Sequence, residues 1–117
     1  MVGIDIIEVE RIEKSIQNAN FLAKILTYKE IEYVSQFANK CAHVAGLFCA
    51  KEAVMKALED CKQISFKDIE IAHKNSGKPY VILNGKALEV FKKSGKQNIE
   101  ISISQTNTVA TAICIIS

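Results

Sequence analysis

Apolar and polar residues alternate at the start of the chain, where Gly3 and Asp5 separate Val2, Ile4 and Ile6. A period of two predicts a strand, with Asp5 on the face opposite Ile4 and Ile6. From about Val9 the period lengthens. Ile12, Ile16 and Ala19 form a helical stripe, with Arg11 and Lys14 off it. Thr27 and Glu30 have the spacing of a capping box, which opens a helix carrying Ile31, Val34 and Ala38. The longest helical pattern runs from about Cys41 to Leu58. Its buried arc comprises Val44, Leu47, Phe48, Val54, Met55 and Leu58. At about 100° per residue, Lys51 falls inside that arc, Glu52 falls at its edge, and Lys56 follows one turn later on the same flank.

The remainder is rich in strands. Ile69 and Ile71 alternate within Phe66 to Ala72, Asn75 to Pro79 is a turn signal, and Tyr80 to Leu83 is a short strand. Asn84-Gly85 turns into a short helix through Ala87, Leu88 and Phe91 that stops near Gly95. Ile99, Ile101 and Ile103 alternate cleanly, a stripe suited to a core or a subunit interface. Val109 to Ile116 reads as a final apolar strand, paired to its predecessor as a hairpin through Thr106-Asn107. Helices come first and strands last, which defines an α+β class: an N-terminal strand and helices, then a mostly antiparallel sheet with a short helix.

Composition narrows the function. A length of 117 residues suits one domain, residues 1–117, large enough to bury a core without staples. Apolar residues make up 49% and charged residues 24%, as in a soluble globular chain. The net charge of +2 is too small for binding that depends on neutralising nucleic-acid phosphates. Cys41, Cys49, Cys61 and Cys114 contain no C-x-x-C pair, so a thiolate zinc site is not expected and reduced thiols are. No apolar run approaches membrane-spanning length, and Asp5 and Glu8 interrupt any leader-like order at the N-terminus. These features point to a cytoplasmic protein with no membrane association.

The candidate chemistry lies in Asp5, Lys51, Glu52 and Lys56. Asp5 is a carboxylate in an apolar strand. It fits a solvated face about as well as a functional one. Glu52 and Lys56 fit an exposed i, i+4 ion pair. Lys51 does not, because it lies within the apolar arc. Such a lysine can run its stem along apolar surface, or meet a phosphate at a cleft. Together the two carboxylates and two lysines suit a site for a hard divalent cation and a phosphate. His43 and His73 are isolated in sequence and read as surface or capping residues. Met55 reads as core.

Longer motifs identify a family. The run from Gly3 through Ile12 resembles the opening of bacterial holo-[acyl-carrier-protein] synthases. Phe48 through Ala57, containing Lys51-Glu52 and Lys56, resembles the signature helix of 4′-phosphopantetheinyl transferases. Asn75 through Tyr80 is similar to the family's Gly-Lys-Pro turn, and Ile101 through Ser104 to its penultimate strand. The resemblance spans the whole chain and implies the 4′-phosphopantetheinyl transferase fold. It also implies transfer of the phosphopantetheine arm of coenzyme A to a serine of apo-acyl carrier protein, releasing adenosine 3′,5′-bisphosphate, in fatty acid biosynthesis. Mg2+ is the implied metal, with Asp5 and Glu52 as its ligands and Lys56 beside the reacting phosphate. Lys51, Lys56, Gly77, Lys78, Pro79, Ser104 and Gln105 are the implied coenzyme A contacts. Arg11 aligns with a carrier-docking position, and Lys14 shares its helical side. A homotrimer with active sites between subunits is also implied. For the general base, Glu8, Glu52 and a metal-bound water all remain open.

Three positions depart from the family pattern. Leu47 stands where the family often has Arg, Gln105 where it commonly has His, and Glu59-Asp60-Cys61 where a Gly-rich turn is usual. All three are expected to face coenzyme A. Two rival functions stay in view: a coenzyme A or carrier-binding module without turnover, and a different Mg2+-dependent phosphate enzyme. The intact carboxylate pair disfavours the first, and the lack of a P-loop disfavours the second.

Overall fold

The computed structural model describes all residues, 1–117. Strand β1 (Val2–Glu8) leads into helix α1 (Val9–Ser15). Two short helices follow, α2 (Phe21–Ile25) and α3 (Tyr28–Val34), and then the long helix α4 (Lys40–Leu58). A 3-10 turn (Phe66–Asp68) introduces the hairpin of β2 (Ile69–His73) and β3 (Pro79–Leu83). Helix α5 (Gly85–Lys93) precedes β4 (Ile99–Gln105) and β5 (Val109–Ile116). The main sheet has the order β1-β5-β4, and all its pairs are antiparallel, as are those of the β2–β3 hairpin. The expected α+β arrangement is therefore present, including the β4–β5 hairpin closed by Thr106 N–H donating to the Val109 carbonyl.

Helix α4 is the centre of the molecule. It buries residues nearly all round its circumference, as expected for a helix apolar on every side. Gly46, Cys49, Ala50, Ala53 and Ala57 are small, as are Ala110, Ala112 and Cys114 on the facing side of β5, and all of these are buried. Small residues on both partners let helix and sheet approach closely. Gly3 carries this furthest: a β-carbon there would overlap the Ala53 carbonyl oxygen and stand 2.7 Å from the Ala57 nitrogen.

The first helix is shorter than the stripe predicts. It ends at Ser15, Ile16 caps it, and Ala19 is exposed. Asn18 accounts for the break, because its side-chain oxygen accepts from the Asn20 N–H at 3.0 Å, offering the chain a turn instead of helix. The capping box at Thr27 and Glu30 forms as read, with both reciprocal bonds present.

In β1 the two faces are reversed from an apolar-inward reading. Gly3, Asp5 and Ile7 face α4, whereas Val2, Ile4 and Ile6 are exposed at 62%, 61% and 70%. Ile113 and Ile115 pair with Ile4 and Val2 and continue this outer apolar face. The Ile99-Ile101-Ile103 stripe packs inward on the core.

Candidate active site

Asp5 is turned inward onto α4 because Gly3, two residues earlier on the same face, lets β1 lie against that helix. Lys56 fixes the pairing: its ammonium donates to the Ile4 carbonyl at 2.9 Å and to Asp5 Oδ1 at 3.2 Å. Thr111 holds the strand from the other side, donating its hydroxyl to the Asp5 carbonyl at 2.8 Å. The Asp5 side chain is 17% exposed and that of Lys56 54%, so the pair is reachable from solvent.

Glu52 lies one turn before Lys56 on α4 and completes the cluster. Burial pushes its carboxyl above the ordinary range; the negative charge of Asp5 adds to this, while Lys56 and Arg11 oppose it. The Cys49 thiol, a further turn back, is pushed up to about 12, by burial first and then by the charge of Asp5. Cys49 is therefore a packing residue, and its Sγ donates to the Ala110 carbonyl. Asp5 and Glu52, both partly buried, form an all-oxygen donor pair. That set fits a hard divalent cation which keeps several waters. Glu8 lies on the opposite face of β1 from Asp5, lining a separate depression with Ile6, Ile7, Arg11 and Val109.

Lys51 does not join this cluster, contrary to the expected coenzyme A contact. It is fully buried, and its ammonium is spent on Glu30 Oε1 (2.6 Å), the Phe66 carbonyl (3.0 Å) and the Ile69 carbonyl (2.8 Å). Three donors meet three acceptors, leaving none for a phosphate.

Several of the other expected contacts converge elsewhere. Gly77, Pro79 and Gln105 line one cavity of about 170 Å³ with Leu47, Gly46, Ile103, Tyr33, His43 and His73. Gly46 is needed there, since a β-carbon would overlap the Gln105 carboxamide. Ser104 alternates to the outer, exposed face of β4, and Lys78 lines the neighbouring depression with Lys74 and Tyr80. The Glu59–Cys61 turn does not face this cavity. It follows the far end of α4 and, through Glu59 and Asp60, borders a depression with Met1, Lys86 and Lys93. His43 and His73 are the cavity residues that sequence reasoning missed. They are 30 residues apart in sequence, and only the packing of β2 beside α3 and α4 brings them together.

A family model described as the 4′-phosphopantetheinyl transferase superfamily matches residues 1–114. A holo-[acyl-carrier-protein] synthase of Thermoanaerobacter sp. (strain X514) is 47% identical, over 97% of this chain and 84% of the relative. The protein of the same name from Fusobacterium nucleatum is 44% identical, over 98% of this chain and 96% of the relative. Among solved structures, the Helicobacter pylori holo-[acyl-carrier-protein] synthase in complex with coenzyme A superposes with a TM-score of 0.87, at 34% identity and full coverage of both chains. The chain belongs to the 4′-phosphopantetheinyl transferase superfamily and, within it, to the holo-[acyl-carrier-protein] synthases.

Proposed function

We propose that this chain is a Mg2+-dependent enzyme that transfers the 4′-phosphopantetheine arm of coenzyme A to a serine of apo-acyl carrier protein, in support of fatty acid biosynthesis in the cytoplasm. The products are holo-acyl carrier protein and adenosine 3′,5′-bisphosphate. The observation that carries this reading is the Asp5–Lys56 contact held one helical turn from Glu52. Asp5 and Glu52 would hold the metal. Bound there, Mg2+ would neutralise and polarise the pyrophosphate under attack. Lys56 holds the Asp5 carboxylate in place, and its half-exposed side chain leaves the ammonium open to a phosphate oxygen. Among the carboxylates considered as general base, Glu52 is within electrostatic reach of Asp5, whereas Glu8 lies on the opposite face of β1. Arg11 acts on Glu52 and borders the surface beside Glu8, a position suited to an acidic carrier helix. Lys14 is exposed on the same helix, and its weak surface pair with Glu10 at 3.5 Å can be exchanged for a carboxylate of the same partner.

The cavity lined by Gly77, Pro79 and Gln105 is suited to the nucleotide end of coenzyme A. It opens between α4 and β4, whereas the carboxylates lie between α4 and β1, at the other edge of the sheet. Along α4, His43 and Glu52 are about 180° apart at 100° per residue. One chain therefore presents the two half-sites on opposite sides of α4. A homotrimer packed through the exposed Val2, Ile4, Ile6, Ile113 and Ile115 would set one subunit's cavity beside its neighbour's carboxylates.

The test is incubation with apo-acyl carrier protein, coenzyme A and Mg2+, followed by carrier mass. The reading expects the carrier to gain the phosphopantetheine mass only when Mg2+ is present. Asp5→Ala and Glu52→Ala should each abolish the gain without unfolding the domain. Binding without mass gain would point to a non-catalytic module. Coenzyme A cleavage without carrier modification would point to a hydrolase.

A further inference from the structure

We infer that His43 and His73 form a protonation-dependent phosphate subsite in the cavity between α3, α4 and the β2–β3 hairpin. The inference rests on the transferase reading only for the choice of coenzyme A as the probe.

The cavity holds about 170 Å³, some five to six water volumes, enough for one tetrahedral anion. No Lys or Arg side chain lines it. Its polar side chains are those of Tyr33, Gln105 and the two histidines. A phosphate placed there meets no fixed cation in the cavity lining, so any countercharge that the lining itself supplies must come from imidazole.

Both rings are held for that role. His43 stacks on Phe37 with centroids 3.6 Å apart and planes 4° apart, and its Nδ1 lies 3.0 Å from the Asn39 carbonyl. A carbonyl can only accept, so Nδ1 carries the hydrogen and neutral Nε2 carries a lone pair. Nε2 becomes a donor to an anion only when the ring is protonated. His73 stacks on Tyr33 at 4.0 Å and 8°, and neither of its ring nitrogens has a protein partner.

Every charged or titratable group around the rings bears on the proton. On His73, Glu30 and Tyr33 act from α3 and His43 from α4. Burial pushes the His73 imidazole below its ordinary range, Glu30 draws it back in part, and His43 lowers it further. Glu30 is already paired with Lys51, which limits its pull. On His43, Tyr33 and His73 are the facing groups, and Lys78 looks into the neighbouring depression. Burial thus disfavours the charged His73 ring in the free cavity, and an anion placed beside the ring favours that charged form, so binding draws in a proton. Because binding takes up protons, affinity falls as pH rises through the imidazole range. One proton limits the slope to about tenfold per pH unit.

The experiment is calorimetric titration of the wild-type protein with coenzyme A at pH 6, 7 and 8, in buffers of different ionisation enthalpy. Dephospho-coenzyme A, which lacks the ribose phosphate, is the second probe. The expected result is net proton uptake near pH 7 and an affinity loss of about three- to tenfold from pH 6 to pH 8. His43→Phe and His73→Phe keep a stacking ring and should each reduce both effects, with melting temperature as the check on folding. Loss of uptake with dephospho-coenzyme A places the ribose phosphate in the subsite, and persistent uptake places the pyrophosphate there. Coenzyme A binding without proton uptake, or unchanged uptake in both variants, overturns the inference. Uptake without any carrier modification would sink the transferase reading and leave the subsite standing.

Discussion

Lys51→Met separates a structural lysine from a phosphate-binding one. The substitution nearly preserves side-chain length and removes the ammonium from a site with no solvent exposure. It leaves the Glu30 carboxylate without a countercharge, and the Phe66 and Ile69 carbonyls without the donor they share. Glu30 keeps its bonds from the Thr27 and Ile71 N–H groups, both at 2.8 Å, so the carboxylate is not wholly abandoned. Removing one partner of a buried ion pair costs about 3–5 kcal/mol, a large share of the 5–15 kcal/mol typical of a whole domain. At a urea dependence of about 1.5 kcal/mol/M, the unfolding midpoint should drop by about 2–3 M. Transfer per folded molecule, assayed at low temperature where the variant is still native, should fall far less than in Asp5→Ala. A midpoint shift below about 0.5 M, together with a large rise in KM for coenzyme A, would refute the reasoning: it would mean that the ammonium turns out to meet substrate.

Other outcomes follow from the same packing. Gly3→Ala drives a β-carbon into the Ala53 carbonyl and should either destabilise the domain by about 2–3 kcal/mol or shift β1 enough to cut transfer about a hundredfold, read by urea melts and carrier mass. Glu59 holds a φ of 69° at the end of α4; Glu59→Gly should raise stability by about 0.5–1 kcal/mol with KM for coenzyme A unchanged, since this turn borders a different depression. Ile115→Lys places a charge on the exposed apolar face of the sheet and should yield monomers by light scattering with transfer lost; a stable, active oligomer would place the interface elsewhere. Gln105→His adds a third imidazole to the cavity and should lower KM for coenzyme A more at pH 6 than at pH 8; no change would count against Gln105 facing ligand.

The sequence was most legible where local rules and packing agree. Thr27 and Glu30 read as a capping box and form one, and Ile99, Ile101 and Ile103 alternate and pack inward. Lys51 shows the limit. Its place inside the apolar arc set it apart from a solvated face, but on sequence alone its ammonium stays wet or meets a phosphate, whereas the structure buries it completely. Its partners, Glu30, Phe66 and Ile69, come from segments up to 21 residues away. Glu30 was visible only as a capping residue, although its second oxygen also accepts from the Ile71 N–H and ties α3 to β2. His43 and His73 were invisible as a pair for the same reason: neither carries a local motif, and the cavity wall they share is made by tertiary packing.

Strand β1 carries the deeper lesson, because its alternation is as read while its aliphatic face turns outward. A lone strand with aliphatic residues on one face and Gly3, Asp5 and Ile7 on the other would ordinarily bury the aliphatic face. Here the long central helix is lined with Ala, Gly and Cys, and the face that fits closely against it is the one with no side chain at Gly3. That close fit carries Asp5 onto α4, beside Lys56 and in electrostatic reach of Glu52. The same choice leaves Ile4 and Ile6 facing out, joined across the pairing register by Ile113 and Ile115. A contiguous aliphatic face of this kind favours association in water. The proposed metal site and the proposed subunit interface are therefore two sides of one strand. Shifting β1 by a single residue would expose Asp5 to the interface and bury the isoleucines against α4, removing both at once.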